Sequence, residues 1–96
     1  MSLPPDRKLE KTRAFSKDVE KLPRDIVKAG WKAAQLLQRD IFTRRLNLRK
    51  LEGYDDVWRV VVRKDYRMIY TFDEERIYLL RFAHRKDIYR LDFTFD

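Results

Sequence analysis

Apolar and polar residues alternate along three consecutive stretches in the second half of the chain, at 57–62, 66–72 and 76–82. The spacing between these stretches fits hairpins, so the pattern predicts a three-stranded antiparallel meander. One side of each strand is apolar, and we expect that side to face the core. Its positions are Trp58, Val60, Val62, Tyr66, Met68, Tyr70, Phe72, Tyr78, Leu80 and Phe82.

Loop length decides whether these sets share a face, because a one-residue change of register turns every side chain over. A common face requires three-residue loops at 63–65 and 73–75. The opposite face then carries Arg59, Val61, Arg67, Ile69, Thr71, Ile77, Leu79 and Arg81. In this register Arg67 lies directly across from Arg81, and such a pair costs up to about 1 kcal/mol unless an anion lies between the charges. The pattern therefore predicts a phosphate-binding face, whereas an even second loop would remove the Arg67–Arg81 pair.

Helical periodicity marks the first half of the chain. Ser16 is the expected N-cap of a helix over 16–22, with Asp18 and Glu20 in its first turn and Phe15, Val19 and Leu22 along one stripe. A second helix is predicted from Pro23, as its first residue, to about Phe42. Its apolar stripe is Ile26, Ala29, Ala33, Leu37 and Ile41, widened by Val27, Trp31 and Leu36.

The two helices are expected to form a hairpin on the Trp58/Met68/Leu80 face of the sheet, which defines an α+β fold. Gly30 in mid-helix predicts a close contact with the sheet or the first helix. Residues 1–8 are expected to be disordered, and an additional edge strand is predicted within 8–15. Residues 84–90 predict a short helical turn, and 91–96 either an added strand or an extension folded over the basic face.

The chain has 96 residues, no cysteine and one histidine. This length predicts a single domain over 1–96. The absence of cysteine excludes disulfide and thiolate chemistry, and a lone histidine does not favour a histidine-based metal site. The charged start and the short apolar runs predict a cytoplasmic protein without a signal peptide or membrane span.

The charge is strongly basic, with 23 Lys and Arg against 16 Asp and Glu and a net charge of +7. Such an excess favours nucleic acid, another polyanion or an acidic protein as partner, and the plain alternative is a soluble domain with a basic surface. Cations are densest over 39–50, where Arg39, Arg44, Arg45, Arg49 and Lys50 accompany only one acid, Asp40. This segment is either a solvated connection or a phosphate-positioning rim beside the arginine face.

Two fragments separated by one hairpin, YRMIY at 66–70 and HRKDIYR at 84–90, carry a family resemblance. Together with LEGYDDVWRVVV before them, they make the chain similar to the RelE/ParE superfamily of toxin–antitoxin toxins, on the RelE side. The resemblance implies a RelE-like α+β fold, with an N-terminal helical hairpin on one face of a small antiparallel sheet and a basic opposite face. It also implies a cognate antitoxin as partner, in a homo-oligomer or in a hetero-oligomer with that antitoxin.

Active RelE-like toxins cleave mRNA in the ribosomal A site and so inhibit translation, without a metal or cofactor. The resemblance gives catalytic positions to Arg67, His84, Arg85 and Tyr89. It places Arg59 as an RNA or phosphate contact, and the strand and charge patterns described above add Arg81, Arg44, Arg45, Arg49 and Lys50. Cleavage by the 2′-OH needs a base, cations for the developing charge and an acid for the leaving oxygen. His84 suits either proton-transfer role, because the ordinary pKa of histidine lies near neutrality.

One departure from the family bears directly on activity. The second basic position of the first meander strand is Val61 here, so a cation that some members use as a base or phosphate contact is missing. The alternative function is therefore a ParE-like inhibitor that acts on DNA gyrase or another protein without cutting RNA. A further alternative is a catalytically weakened relative that still binds an antitoxin.

Overall fold

The computed structural model describes residues 6–94, in which two helices pack on one face of a five-stranded sheet. The elements are β1 (Lys8–Lys11), α1 (Arg13–Lys21), α2 (Arg24–Arg39), β2 (Arg49–Lys50), β3 (Trp58–Val62), β4 (Tyr66–Phe72), β5 (Arg76–His84) and a 3₁₀ helix (Ile88–Arg90). The strand order is β1-β5-β4-β3-β2, with β1 parallel to β5 and the other neighbours antiparallel. The predicted α+β architecture is confirmed. Within the described residues, no helix has the length and apolarity needed to cross a membrane.

The first hairpin of the meander has the predicted register. Val62 pairs with Tyr66 across a three-residue loop, so Val61 pairs with Arg67. The loop residues Arg63 and Lys64 have φ angles of 50° and 67°, in the left-handed region that non-glycine residues seldom adopt. The Arg85 N–H donates to the Asp65 carbonyl at 2.7 Å, which ties this loop to the end of β5.

The predicted register of the second hairpin is wrong over most of its length. Phe72 pairs with Ile77, so the connection has even length. The Asp73 carboxylate causes this, because its Oδ1 accepts the N–H groups of Glu75 and Arg76 at 2.8 Å and closes a tighter turn. As a result Ile77 and Leu79 face the helices, whereas Tyr78 and Leu80 face away from them.

A β-bulge at Leu80 restores the predicted faces for the rest of β5. Tyr70 pairs with Leu79 and Ile69 pairs with Arg81, so Leu80 has no partner of its own on β4. Beyond the bulge, Phe82 lies opposite Met68 on β4 and so faces the helices, as predicted. The bulge therefore cancels the parity change made at the turn.

The sheet buries a core on each of its two faces. The helix face, covered by α1 and α2, holds the larger core, whose fully buried members include Phe15, Leu37, Val60 and Met68. The face turned away from the helices, here called the distal face, holds a smaller one: Val57, Ile69, Leu80 and Ile88, covered by Leu51, Tyr78, Ala83, Leu91 and Phe93. Over 91–94 the chain is thus an extension that folds over the distal face, and it forms no strand there.

Helix α1 begins earlier than predicted. Its N-cap is Thr12, whose Oγ1 accepts the Phe15 N–H at 3.0 Å and donates to the Leu80 carbonyl at 2.9 Å. Ser16 lies inside the helix, so the prediction of Ser16 as N-cap is wrong. Asp18 consequently lies past the first turn, where its side chain is buried.

Helix α2 follows the predicted stripe and ends at Arg39, with Pro23 in the N-cap position rather than at the first helical residue. A Cβ built at Gly30 would clash with the Phe82 ring, so the close contact predicted with the sheet or the first helix is made with the sheet. The predicted edge strand is β1, and it begins at Lys8. Of the segment predicted to be disordered, residues 1–5 lie outside the described part of the chain.

Candidate nucleic-acid interface

Three arginines from three neighbouring strands lie on the distal face. Arg49 on β2 pairs directly with Arg59 on β3, and Arg67 on β4 pairs with Val61, one alternation along β3 from Arg59. Residues two apart on a strand are about 6.6 Å apart, and cross-strand pairs are closer still. We call Arg49, Arg59 and Arg67, together with Tyr89 beside them, the arginine cluster.

Arg59 is at the centre of this cluster. Burial and the positive charges of Arg67 and Arg49 lower the pKa of its guanidinium, whereas Tyr89 acts in the opposite direction. Its Nη1 is buried and has no hydrogen-bond partner among residues 6–94. A partly desolvated guanidinium with two cationic neighbours is unfavourable, and an anion bound beside it would relieve both costs.

Arg67 is held by the loop between β3 and β4. Its Nη1 donates to the carbonyl oxygens of Lys64 at 2.8 Å and Tyr66 at 3.0 Å. Carbonyl groups orient the guanidinium without neutralising its charge, and within the described chain no carboxylate pairs with Arg67. The side chain is therefore fixed in position and still able to bind a phosphate.

Tyr89 reaches the cluster from the 3₁₀ helix. Ile88, the preceding residue, is fully buried in the distal core and anchors this turn. Tyr89 itself is 58% exposed and close enough to Arg59 to raise the pKa of its guanidinium against the effect of burial. An exposed aromatic ring beside cations provides a surface on which an unpaired base can stack.

Arg85 belongs to a different part of the site. Its guanidinium lies 3.5 Å from the Asp65 carboxylate, and both side chains are largely exposed. Residues 85–87 form turns and only Ile88–Arg90 is helical, so the chain does not make the single helical turn predicted for 84–90. Arg85 therefore lies beside the loop that holds Arg67, whereas Tyr89 lies beside Arg59.

His84, the last residue of β5, lies on the other side of the sheet from Arg67. It pairs with Tyr66 on the helix face, and their ring centroids are 5.3 Å apart. Its Nδ1 accepts the Lys86 N–H at 3.1 Å, which fixes the turn that follows. Ala83, rather than His84, is the β5 residue opposite Arg67.

Arg81 is not opposite Arg67, contrary to the predicted register. It pairs with Ile69, and its guanidinium forms a two-pronged ion pair with Asp18: Nε to Oδ2 at 2.8 Å and Nη2 to Oδ1 at 2.9 Å. Asp18 Oδ2 also accepts the Phe82 N–H at 3.0 Å. These bonds join α1 to the edge of β5, so Arg81 supports the fold beside the arginine cluster.

The remaining predicted cations are spread around the connection before β3. Arg44 and Arg45 are exposed in a segment whose Leu46 and Leu48 pack against the core of the helix face. Lys50 pairs with Trp58 and so points to the helix face. Only Arg49 of this group joins the arginine cluster, a position that its sequence context does not reveal, because β2 is only two residues long.

Family and structure comparisons agree with this architecture. Residues 9–89 match the family model described as ParE toxin of type II toxin–antitoxin system, parDE. The chain belongs to the ParE toxin family. It is accordingly a type II toxin of the RelE/ParE superfamily, which confirms the resemblance carried by the two sequence fragments.

Several solved toxins of this superfamily are similar to the chain. A chain of the RelB–RelE antitoxin–toxin complex from Methanococcus jannaschii is 26% identical, with a TM-score of 0.71 over 83% of this chain and 94% of that chain. A chain of the RelBE2 complex from Mycobacterium tuberculosis is 25% identical, with a TM-score of 0.67 over 83% and 99%. A chain of the DinJ–YafQ complex from E. coli, 17% identical, shares the fold with a TM-score of 0.70 over 88% and 98%. A search of curated proteins found no match.

Proposed function

We propose that this toxin binds mRNA on the arginine cluster and cleaves it in the ribosomal A site, which stops translation. The observation that carries the proposal is the meeting of Arg49, Arg59 and Arg67 on one face, with no carboxylate partner for any of them among residues 6–94. A cluster of this kind opposes folding and favours phosphate binding, because each phosphate adds the charge that the cluster lacks.

The chemistry follows from attack of a ribose 2′-oxygen on the adjacent phosphorus. That attack forms the P–O2′ bond and breaks the P–O5′ bond. The 2′-hydroxyl proton passes to solvent water, the departing 5′-oxygen takes up a proton, and the products are a 2′,3′-cyclic phosphate and a 5′-hydroxyl. Negative charge builds on the phosphoryl oxygens in the transition state, where fixed cations stabilise it most effectively. Arg67, oriented by two carbonyl groups, and Arg59, partly desolvated, are the residues to which we assign this role.

Transfer of a proton to the leaving group is assigned to Tyr89, an exposed residue close to Arg59 in the cluster. It would donate a proton to the departing 5′-oxygen, and its ring would stack on an adjacent base. His84 receives a positioning role, because its imidazole is on the helix face and bonds to the turn that leads to Arg85 and Tyr89. Arg85 would contact the RNA backbone at the edge of the site.

A toxin of this kind has a protein partner besides the mRNA in the ribosomal A site. The solved relatives from M. jannaschii and M. tuberculosis are in complexes with antitoxins. We infer that this toxin has a cognate antitoxin that restrains it, and that it acts in the cytoplasm, where ribosomes translate mRNA. No resident metal or cofactor has a part in this scheme, since fixed cations supply the charge stabilisation.

A second candidate function is a ParE-like inhibitor of DNA gyrase or another protein that cuts no RNA. Two observations favour it. The family model that matches residues 9–89 is that of ParE, and the β3 residue opposite Arg67 is the half-buried Val61 rather than a cation. The same arginine cluster would then bind an acidic partner surface instead of a phosphate backbone.

The deciding experiment is a reconstituted translation reaction in which mRNA ends are mapped after addition of the toxin. We expect cuts at A-site codons that require ribosomes, that disappear with Arg67→Ala and that weaken with Tyr89→Phe. Arg76→Ala is the matched control, because Arg76 starts β5 and forms only partly exposed ion pairs with Glu10 and Glu75. Intact mRNA at stoichiometric toxin would contradict the proposal, and inhibited supercoiling in a parallel gyrase assay would then support the second candidate.

A further inference from the structure

A second cationic surface lies on the outer sides of the two helices, across the sheet from the arginine cluster. We call it the helical cation surface, and its members are Arg13, Lys17 and Lys21 on α1 and Arg24, Lys28, Lys32 and Arg39 on α2. All seven side chains are exposed, and the exposed acids of the same helices are only Glu20 and Asp25. Among residues 6–94, none of the seven forms an ion pair.

The cations recur at regular intervals along each helix. Arg13, Lys17 and Lys21 are four residues apart in succession, which makes one stripe with about 6 Å between neighbours. Residues 24, 28 and 32 of α2 repeat the same interval. Like charges at this spacing destabilise a helix by roughly 0.2–0.5 kcal/mol per pair. Helix stability therefore does not explain the two stripes.

The exposed acidic residues of the chain are concentrated in loops rather than beside the cations of α1 and α2. Glu52, Asp55 and Asp56 precede β3, and Asp73, Glu74 and Glu75 follow β4. The two loops lie at the same end of the meander, because β3 and β4 are antiparallel. The charges are thus segregated, and the outer helical surface keeps its positive field.

Both stripes are held rigidly against the sheet. On α1, Asp18 bonds to the Arg81 guanidinium and to the Phe82 N–H. On α2, Gly30 packs against the Phe82 ring so closely that a Cβ would not fit. The Phe15 and Trp31 rings join the two helices, with centroids 6.0 Å apart. A rigid, regular row of cations suits a regular row of phosphates, whereas a flexible acidic peptide requires no such order.

We propose that the helical cation surface binds the phosphodiester backbone of duplex RNA. The choice of RNA over DNA rests on the proposed function, in which the opposite face of the sheet acts on mRNA inside the ribosome. Helical RNA presents phosphates and 2′-hydroxyls along a wide, shallow minor groove that long lysine side chains can reach. One toxin molecule thereby holds single-stranded RNA on the distal face and structured RNA on the helices.

The test compares two full-length variants that lose the same charge. The helix variant carries Lys17→Gln, Lys21→Gln, Lys28→Gln and Lys32→Gln. The control variant carries Lys8→Gln, Lys64→Gln, Lys86→Gln and Arg90→Gln, which remove four exposed cations outside α1 and α2. Fluorescence anisotropy measures binding of a short RNA duplex over a range of salt concentrations, and thermal melts verify that both variants are folded.

The helix variant is expected to bind the duplex about tenfold or more weakly than wild type. Its slope of log K against log salt should become shallower by about 0.9 for each phosphate that the variant no longer neutralises. The control variant should stay within about threefold of wild type. Equal losses of affinity in the two variants, or no loss in the helix variant, would overturn the proposal. It would also be overturned if duplex DNA or poly-glutamate bound as tightly as duplex RNA and with the same dependence on the helix lysines.

Failure of this inference is separable from failure of the proposed function. The duplex-binding measurement needs no ribosome and no cleavage, so its result stands whether or not wild-type toxin cuts mRNA. Conversely, if the helix variant binds duplex RNA normally while wild type cleaves mRNA at A-site codons, only the role of the helices is excluded.

Discussion

Arg81 and the arginine cluster share the distal face of one small sheet, yet their surroundings are opposite. Arg81 has a carboxylate partner in a two-pronged ion pair, and the side chains of Arg81 and Asp18 are only 18% and 9% exposed. Arg67 on the neighbouring strand β4 and Arg59 on the next strand β3 have no carboxylate partner among residues 6–94. All three are arginines on neighbouring strands of the same sheet, so residue type and strand do not explain the difference. What distinguishes the structural arginine from the candidate RNA contacts is the presence of a carboxylate partner.

The two regions should respond in opposite ways to loss of charge. Removing a partner from the Arg81 pair leaves a buried charge uncompensated and lowers stability. Removing an arginine from the cluster relieves repulsion and desolvation, so function is lost while stability changes little or improves. Four predictions test this contrast, in order of decreasing effect.

The largest effect is expected on mRNA cleavage. Arg59→Gln and Arg67→Gln should each lower the rate of ribosome-dependent cleavage by about 10²–10³-fold, the usual result of removing one fixed donor to a transition-state charge. Single-turnover cleavage of mRNA in stalled ribosomal complexes measures the rate, with Arg76→Gln as control. If both variants lowered the cleavage rate by less than about threefold, Arg59 and Arg67 would have no direct role in the reaction.

The next effect is on stability at the Arg81 pair. Asp18→Ala should lower the free energy of unfolding by about 3 kcal/mol, because it strands the Arg81 guanidinium and removes the acceptor of the Phe82 N–H. Urea titration followed by circular dichroism measures the change. Glu20→Ala, an exposed acid on the same helix, is the matched control and should stay within about 0.5 kcal/mol. Similar values for the two variants would mean that the pair contributes nothing to stability.

A smaller change of opposite sign is expected at Arg59. Arg59→Met keeps the apolar stem but removes a guanidinium whose Nη1 is buried and has no hydrogen-bond partner within 6–94. The free energy of unfolding should therefore rise by up to about 1 kcal/mol. The same urea titration applies, with Arg90→Met as the control for an exposed arginine. If Arg59→Met lowered the free energy of unfolding as much as Asp18→Ala does, the two regions would not differ in the way proposed.

The smallest effect concerns a carboxylate that is held by backbone groups instead of an arginine. The N–H groups of Arg76 and Glu75 lower the pKa of Asp73 below its ordinary value of 3.8. The ionised Asp73 carboxylate therefore stabilises the fold fully above about pH 4, and this stabilisation is lost as the pH falls through the lowered pKa. Asp73→Asn should thus destabilise slightly at pH 7 and progressively less in acid, as measured by thermal melts against pH. If the difference in melting temperature between wild type and Asp73→Asn grew in acid, the prediction would be contradicted. Glu74→Gln, a change at a neighbouring exposed acid, is the control.

Local signals in the sequence were enough for the first hairpin and the helical stripes. The parity of a three-residue loop placed Arg59 and Arg67 on one face. A glycine in the middle of α2 predicted a close contact with the sheet or the first helix, and the structure shows that this contact is with Phe82 on the sheet. Both depend on neighbours within one element or one turn. Such short-range patterns survive folding because the core on the helix face enforces them.

The features that the sequence did not predict depend on distant contacts. The turn at Asp73 and the bulge at Leu80 change parity twice, and alternation alone shows neither. Thr12 replaces Ser16 as the N-cap because its hydroxyl also bonds to Leu80 on a distant strand. The partner of Arg81 is 63 residues away along the chain. No local pattern reveals which arginines of a sheet will have a counter-ion.

The most direct test of the RNA-binding site is an NMR titration that follows the Nε–Hε signals of individual arginines. The toxin would be titrated with a short single-stranded RNA that carries 2′-deoxyribose throughout its cleavage site, so that it binds without being cut. We expect the Arg59 and Arg67 signals to shift with a common affinity, while the Arg81 signal, held by Asp18, stays in place. A shift of the Arg81 signal with unchanged Arg59 and Arg67 signals would contradict the central claim, which is that arginines without a carboxylate partner among residues 6–94 form the RNA-binding site.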